Sequence, residues 1–374
     1  MSAPLRRDAA ARVLVTTDAV GGVWTYSLDL ARGLAAKDVA TVLAVMGPSP
    51  SADQLEQVRA IPGLSLIDTG LPLDWTAADE AGIIEAGAAV RDLAATFEAD
   101  LVHLNSPALA AAGRFPAPVV GACHSCLATW WTAVKDGPLP EDFAWRTRLL
   151  RRGMLACDAL IAPTRAFAEA TAGAYGVRRL QVVWNGREPP AAAAAPAREP
   201  IVLTSGRLWD EGKNLALLDA AAGLASTPVL AAGPLAGPNG ARLELRHVQP
   251  LGRLSPAEMA AWLRRAPVYA TAARYEPFGL GVLEAAQAGC ALVLSNIPTL
   301  RELWDGAAVF VPTDDAGGFA RAFERLAGNA GDCARLGARA RARATRYSVD
   351  GMTAGALAVY RQVQPRLALR EAAA

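Results

Sequence analysis

Two carboxylates stand eight positions apart in Glu276-Pro-Phe-Gly-Leu-Gly-Val-Leu-Glu284. Eight helical residues would carry the second about 80° away from the first, so a wholly helical segment does not put both on one face. Pro277 and Gly279 make Glu276 non-helical, while Glu284 falls a turn into the apolar run that follows. A loop entering a helix can bring the two together, beside free backbone N–H groups that suit a hydroxylated, phosphate-bearing ligand. Glu also favours helix starts through the dipole. That plainer account gives no reason for the intervening Pro-Phe-Gly-Leu.

Cations stand nearby in the pattern. A strand at 201–205 runs into Gly206-Arg-Leu-Trp-Asp-Glu-Gly-Lys-Asn214, so Arg207 and Lys213 lie at its carboxyl end. Two cations there suit an anionic leaving group such as a diphosphate. Taken alone they read as solvated loop charges; beside the 276–284 segment they read as a site. Asp18-Ala-Val-Gly21-Gly22-Val23 lies between a strand and a helix and resembles a phosphate-approach loop without being GxGxxG. His124 follows a strand at 118–122, where a structural hydrogen-bonding role is the ordinary alternative. Trp130 and Trp131 could line an acceptor pocket or stack on sugar faces, and could equally pack between helix and sheet. Arg301-Glu302 is a weaker candidate for a cleft rim.

These residues need a scaffold. Short apolar strands are expected at 12–17, 40–46, 64–68, 101–105, 118–122, 159–162 and 181–184, with helical patterns between them. Four prolines and six alanines in 186–200 read as a linker. The alternation restarts with strands at 201–205, 229–232, 247–251, 268–271, 292–295 and 308–311, and helices finish the chain. Strands apolar on both faces, joined by helices, mean parallel sheets covered on both sides. The reading is therefore α/β with two Rossmann-like domains: 1–185, a linker at 186–200, 201–345, and helices at 346–374 that pack back on the first domain. Ligands of such sheets sit at the carboxyl ends of the strands, here in a cleft between domains.

Composition narrows the classes. The 374 residues are 52% hydrophobic and 20% charged, and the formal net charge is +1, so no global field draws nucleic acid. The N-terminal stretch lacks a signal peptide's apolar core, and no apolar run approaches a membrane span. A soluble cytoplasmic protein is expected, with peripheral membrane contact still compatible. Five cysteines with wide spacing read as reduced thiols. Cys123-His-Ser-Cys126 lacks a second ligand pair, so no metal site is expected. The absence of Asp-x-Asp argues against a metal–diphosphate clamp, and serine-hydrolase and P-loop motifs are missing too.

In order along the chain, Gly21-Gly22-Val23, His124, Asp158-Ala-Leu-Ile-Ala-Pro-Thr-Arg-Ala-Phe167, Val182-Val-Trp-Asn-Gly186, Ser205-Gly-Arg207 with Lys213, and Glu276-Pro-Phe-Gly-Leu280 to Glu284 resemble the retaining glycosyltransferases of family 4, which have the GT-B fold. Ser295-Asn-Ile-Pro298 and 305–312 fit as well. The resemblance implies a sugar transfer from a nucleotide diphosphate sugar to an acceptor hydroxyl on a glycan, small molecule or lipid-linked sugar, without cofactor or metal. It implies that Glu284 binds the donor ribose and Glu276 sits beside the transferred sugar. Arg207 and Lys213 would bind the diphosphate, and His124 would contact the sugar. Phe278, Gly279, Leu280 and Gly281 would belong to the donor loop, and Gly21 and Gly22 would lie near the diphosphate. Two departures stand out: Gly212 lengthens the spacing to Lys213 by one residue, and Arg187 follows Asn-Gly186 where an apolar residue is more frequent. The alternatives are another GT-B enzyme, a phosphorylase or sugar-nucleotide epimerase, and a non-catalytic sugar-nucleotide-binding protein.

Overall fold

Val13, Leu14 and Val15 are all buried, neighbours on opposite faces alike, because their strand has helices above and below it. The computed structural model describes residues 11–178, 180–189, 198–237 and 240–365. The N-terminal stretch, the middle of the expected linker and the last nine residues lie outside the described residues.

The first sheet contains β1 (Ala11–Asp18), β2 (Val39–Met46), β3 (Leu64–Asp68), β4 (Leu101–Leu104), β5 (Val119–Ala122), β6 (Ala159–Ala162) and β7 (Gln181–Val182). The strands are parallel in the order β3-β2-β1-β4-β5-β6-β7. The second sheet contains β8 (Val202–Ser205), β9 (Val229–Ala232), β10 (Gln249–Gly252), β11 (Val268–Thr271), β12 (Ala291–Ser295) and β13 (Ala308–Val311). It too is parallel, in the order β10-β9-β8-β11-β12-β13. Pro250, which cannot donate to a ladder, falls on the edge strand β10.

The chain leaves β1 and β4, and likewise β8 and β11, toward opposite edges of its sheet. Each such reversal opens a crevice beyond the carboxyl ends of the two strands. The loops after β1, β8 and β11 carry the glycine pair, the two cations and Glu276 respectively, and the helix that follows the last loop carries Glu284.

Local signals explain the helices. Ser255 and Glu258 form a capping box before the helix Pro256–Arg265, which has Pro at its start. Ser51 and Gln54 do the same for Ala52–Arg59, the helix between β2 and β3. Thr164 caps Arg165–Tyr175, and left-handed Gly176 ends it. The C-terminal helices break at Gly328-Asn329 as well as near Tyr347, where Asn329 caps Ala330–Ala344.

Both faces of each sheet are filled. Met352, Ala356, Leu357, Val359 and Tyr360 of the helix Val349–Val363 pack with Val13, Trp24, Leu28 and Val120 of the first domain. Each such fully buried aliphatic side chain contributes about 1.5–3 kcal/mol. Among the described residues no helix is long and apolar enough to cross a membrane.

Candidate active site

Gly279 adopts φ +89°, a conformation that glycine tolerates, and so turns the loop after β11 into the helix Leu280–Gln287. A Cβ on Gly281 would lie 2.7 Å from the Tyr269 hydroxyl and 3.1 Å from Ser205 Oγ, so only glycine lets this helix start directly on β8 and β11. The first N–H groups of a helix have no acceptor within it and here point out of the sheet's carboxyl edge. Phe278, expected among the donor-binding residues, instead turns its ring into the core against Tyr347, with centroids 5.7 Å apart. Its apolar ring anchors the loop, leaving the backbone of 279–281 and the two carboxylates to border the cleft.

Both carboxylates carry a cation. Lys213 Nζ donates to Glu276 Oε2 at 2.5 Å, and Arg187 Nη2 meets Glu284 Oε1 at 2.7 Å. Burial raises the Glu284 carboxyl above its usual range, and Arg187 works against that rise. The extra residue before Lys213 is absorbed in a short 3-10 turn, Glu211–Lys213, capped by Asp210 Oδ1 accepting from Gly212 N. Asn214, left-handed at φ +53°, then donates from Nδ2 to the Ala272 and Thr313 carbonyls. The insertion thus leaves Lys213 aimed at Glu276. Arg207 pairs with Asp210 Oδ2 at 2.9 Å and keeps 46% of its side chain exposed, so its guanidinium is available to a ligand. Burial of Asp210 acts to raise its carboxyl, but Arg207, Lys213 and the Gly212 N–H prevail and hold it below the usual range.

The glycine loop lies directly opposite. A Cβ on Gly21 would stand 3.7 Å from Arg207 Nη1, and one on Gly22 would stand 3.5 Å from Leu280. The cleft between Gly21–Gly22 on one side and Arg207 and Leu280 on the other is therefore narrow. Asp18 Oδ1 shapes the loop by accepting from Val20 N at 2.8 Å and Gly21 N at 3.2 Å. Burial raises the Asp18 carboxyl, against the pull of those two bonds and of Arg207.

His124, partly exposed after β5, belongs to a network that the sequence reading did not include. Asn105 donates from Nδ2 to Thr16 O at 2.7 Å and Ser27 Oγ at 2.9 Å. Its amide oxygen therefore faces His124 Nε2 at 2.8 Å and His103 Nε2 at 3.1 Å. An amide oxygen only accepts, so the network assigns the proton to Nε2 in both rings. The Tyr360 hydroxyl then donates to His103 Nδ1 at 2.8 Å. Burial pushes His103 down to about 4 and His124 down to about 3, the latter aided by His103. Both imidazoles should accordingly remain neutral Nε2–H tautomers at pH 5.5 in nitrogen-15 spectra of labelled protein. Their titration near the ordinary histidine value would contradict this network. The sign follows for stability: these depressed pKa values stabilise the fold above about pH 6.5 and lose that contribution as acidity rises toward the folded values.

The tryptophans expected at an acceptor surface face other partners. Trp130 Nε1 donates across the domain boundary to Asp210 Oδ1 at 3.2 Å, and a Cβ on Gly212 would lie 2.8 Å from that nitrogen. Lys135 pairs with Glu211 at 2.6 Å beside it. Trp131 donates to Gly137 O at 3.1 Å and packs on Phe143. Trp130 is thus a domain contact, because its indole N–H finds a buried carboxylate there. Glu302 caps the helix Arg165–Tyr175 from the other domain, accepting from Arg165 N and Ala166 N at 2.9 and 2.8 Å. The Tyr275 hydroxyl accepts from Cys126 N at 2.9 Å, joining the loop after β11 to the His124 segment. Asp74, held by Ser106 at 2.6 Å and raised by burial, lies close enough to Asp18 for the two charges to be felt. All five cysteines are free and buried, and among the described residues no His, Cys, Asp and Glu cluster suits a metal.

The sequence family described as Glycosyltransferase Family 4 matches residues 20–189, and that described as Glycosyl transferases group 1 matches residues 199–329. A D-inositol 3-phosphate glycosyltransferase of Xylanimonas cellulosilytica is 28% identical over 402 residues, covering 94% of this chain and 94% of its own. A glycogen synthase of Mycobacterium tuberculosis is 28% identical, covering 94% of this chain and 95% of its own. Among solved structures, sucrose-phosphate synthase from Thermosynechococcus elongatus has a similar fold with a TM-score of 0.77 at 19% identity, over 94% of this chain and 98% of its own. Anabaena HepE in complex with UDP and glucose gives a TM-score of 0.71 at 18% identity, over 94% of this chain and 100% of its own.

Proposed function

The chain belongs to the glycosyltransferases of family 4, group 1, with the GT-B fold, and from that premise we propose that it moves a sugar from a nucleotide diphosphate sugar to an acceptor hydroxyl with retention at the anomeric carbon. The observation that carries the reading is the meeting of Arg207, Lys213 and Glu276 with the Gly21–Gly22 loop at one narrow cleft. Two cations and unpaired helix N–H groups suit a departing diphosphate. A carboxylate beside them suits the hydroxyls of a sugar carrying positive charge at its anomeric carbon. Glu284 takes the ribose in this reading, in keeping with its place deeper along the helix. The relative HepE, whose structure holds UDP and glucose, supports a nucleotide-sugar donor for this fold.

Retention has two routes. A double displacement needs a nucleophilic carboxylate on the acceptor side, close to the acid. Asp18 is a carboxylate of that domain, but its Oδ1 holds two loop N–H groups and burial favours its protonated form. Front-face substitution is therefore favoured. The bond from the anomeric carbon to the phosphate oxygen breaks, and the acceptor oxygen bonds to the same face. The acceptor proton passes to the departing phosphate. Arg207 and Lys213 stabilise the growing diphosphate charge, while Glu276 and neutral His124 orient the sugar. Hydrogen bonds at Trp130–Asp210 and Tyr275–Cys126 join the two domains beside the cleft, and closure of the domains on the donor would keep water from the reacting carbon.

A thermal-shift panel of UDP, GDP, ADP and their glucose and mannose conjugates tests the donor. A conjugate at a hundred times its Kd should add about 2.7 kcal/mol of stability. No shift with any member at millimolar concentration would contradict the reading.

A further inference from the structure

Arg187 lies where the chain passes from one sheet to the other, and its guanidinium bridges both domains. Nη1 donates to Asp29 Oδ2 of the first domain at 2.8 Å, and Nη2 to Glu284 Oε1 of the second at 2.7 Å. Asp29 is 2% exposed, and Arg32 Nη1 occupies its other oxygen at 2.7 Å. The backbone of Arg187 is fixed as well: its N–H donates to Tyr347 O at 3.1 Å, and its carbonyl accepts from Gln287 Nε2 at 2.9 Å. Gln287 stands in the same helix as Glu284. Arg187 Nε, however, is buried without a hydrogen-bond partner. A buried unpaired donor is a cost, borne here so that the two terminal nitrogens reach two carboxylates on different domains. A planar guanidinium with fixed donors suits that task and an ammonium does not.

We infer that Arg187 is a positioning residue that holds Glu284 from one side and Asp29 from the other, aiming the carboxylate at the donor's ribose and tying donor binding to the closed arrangement of the domains. The inference rests on the reading that Glu284 takes the ribose. Arg187 occupies Oε1, which leaves Oε2 to accept from ribose hydroxyls. Charge has a second part. The charged and titratable groups around Glu284 are Arg187, Asp29 and the buried Tyr269 hydroxyl, with Glu276 beyond it and Arg32 behind Asp29. Arg187 is thus the cation that opposes burial and the Asp29 charge and favours ionised Glu284, although burial still prevails.

Calorimetric titration of the full chain with UDP, GDP and ADP tests this. Wild type should bind one of the three. Arg187→Met should weaken that binding at least about tenfold, and the acid-side loss of affinity should move to higher pH. Arg187→Lys should recover part of the affinity, because one charge returns without the fork. Asp29→Asn, which alters the far side of the Arg187 guanidinium and leaves Glu284 in place, should weaken binding severalfold by loosening that guanidinium. In a Glu284→Gln background, adding Arg187→Met should change affinity by less than about twofold, since the two act as one unit. Melting curves establish which variants are folded, and if Arg187→Met is not, Arg187→Lys and Asp29→Asn carry the test. Unaltered affinity in the folded Arg187 and Asp29 variants, or an equal loss in the Glu284→Gln background, would overturn this inference alone. Failure of wild type to bind any of the three nucleotides would overturn the donor reading and this inference together.

Discussion

Glu276→Gln should lower sugar transfer by about 10²–10³-fold in kcat, with a far smaller change in donor affinity. The loop that carries Glu276 does not depend on the carboxylate for its shape. Thr299 Oγ1 donates to the Glu276 carbonyl at 2.6 Å, Thr164 Oγ1 donates to the Pro277 carbonyl at 3.0 Å, and Arg274 N and Tyr275 N donate to Gly212 O. The amide replacement keeps volume and removes charge. Lys213, partly exposed at 23%, loses its partner but can turn to water or to the donor phosphate. The lost charge matters most when the sugar becomes cationic, so the effect falls on turnover. Glu276→Ala should abolish transfer with the fold retained. Unchanged turnover in either variant would remove Glu276 from the site.

Lys213→Ala is expected to have the second large effect, about 10²–10³-fold in kcat, the loss seen when one oriented donor is taken from a developing anion. Arg207→Ala should act in the same direction. The double variant should lose less than the product of the two, because both cations serve one leaving group. Lys213 is placed by the turn at Glu211–Lys213 and by left-handed Asn214, neither of which needs its ammonium. Far-UV circular dichroism and melting should therefore stay close to wild type. A fall in donor affinity equal to the fall in kcat/KM would instead mean uniform binding, and would take Lys213 out of leaving-group stabilisation.

The strands and their parallel arrangement were legible because β1, β2, β8, β11 and β12 are buried on both faces, so their residues read as largely apolar runs without strict alternation. The loop-to-helix reading of 276–284 was legible from Pro277 and Gly279 alone. Pairings across the cleft were not. Asp29 and Arg187 are 158 positions apart, and no local pattern marks them as partners. Arg187 was visible only as an unusual residue after Gly186. The tautomer of His124 depends on Asn105, which is fixed along with His103 at the end of β4, and His103 is held in turn by Tyr360 from the helix Val349–Val363, 257 positions away. Sequence leaves Trp130 open between an acceptor surface and packing, because its partner Asp210 stands 80 positions away with no local pattern linking the two. The buried Phe278 shows the same limit: residue type marks the donor loop, but packing decides which side chains enter the cleft.

A crystal structure with the nucleotide diphosphate sugar identified by thermal shift tests the central claim most directly. The account predicts the ribose hydroxyls on Glu284 and the diphosphate between Arg207, Lys213 and the Gly21–Gly22 loop, with the sugar against Glu276 and His124. A donor bound elsewhere, or bound with its diphosphate away from both cations, would contradict it.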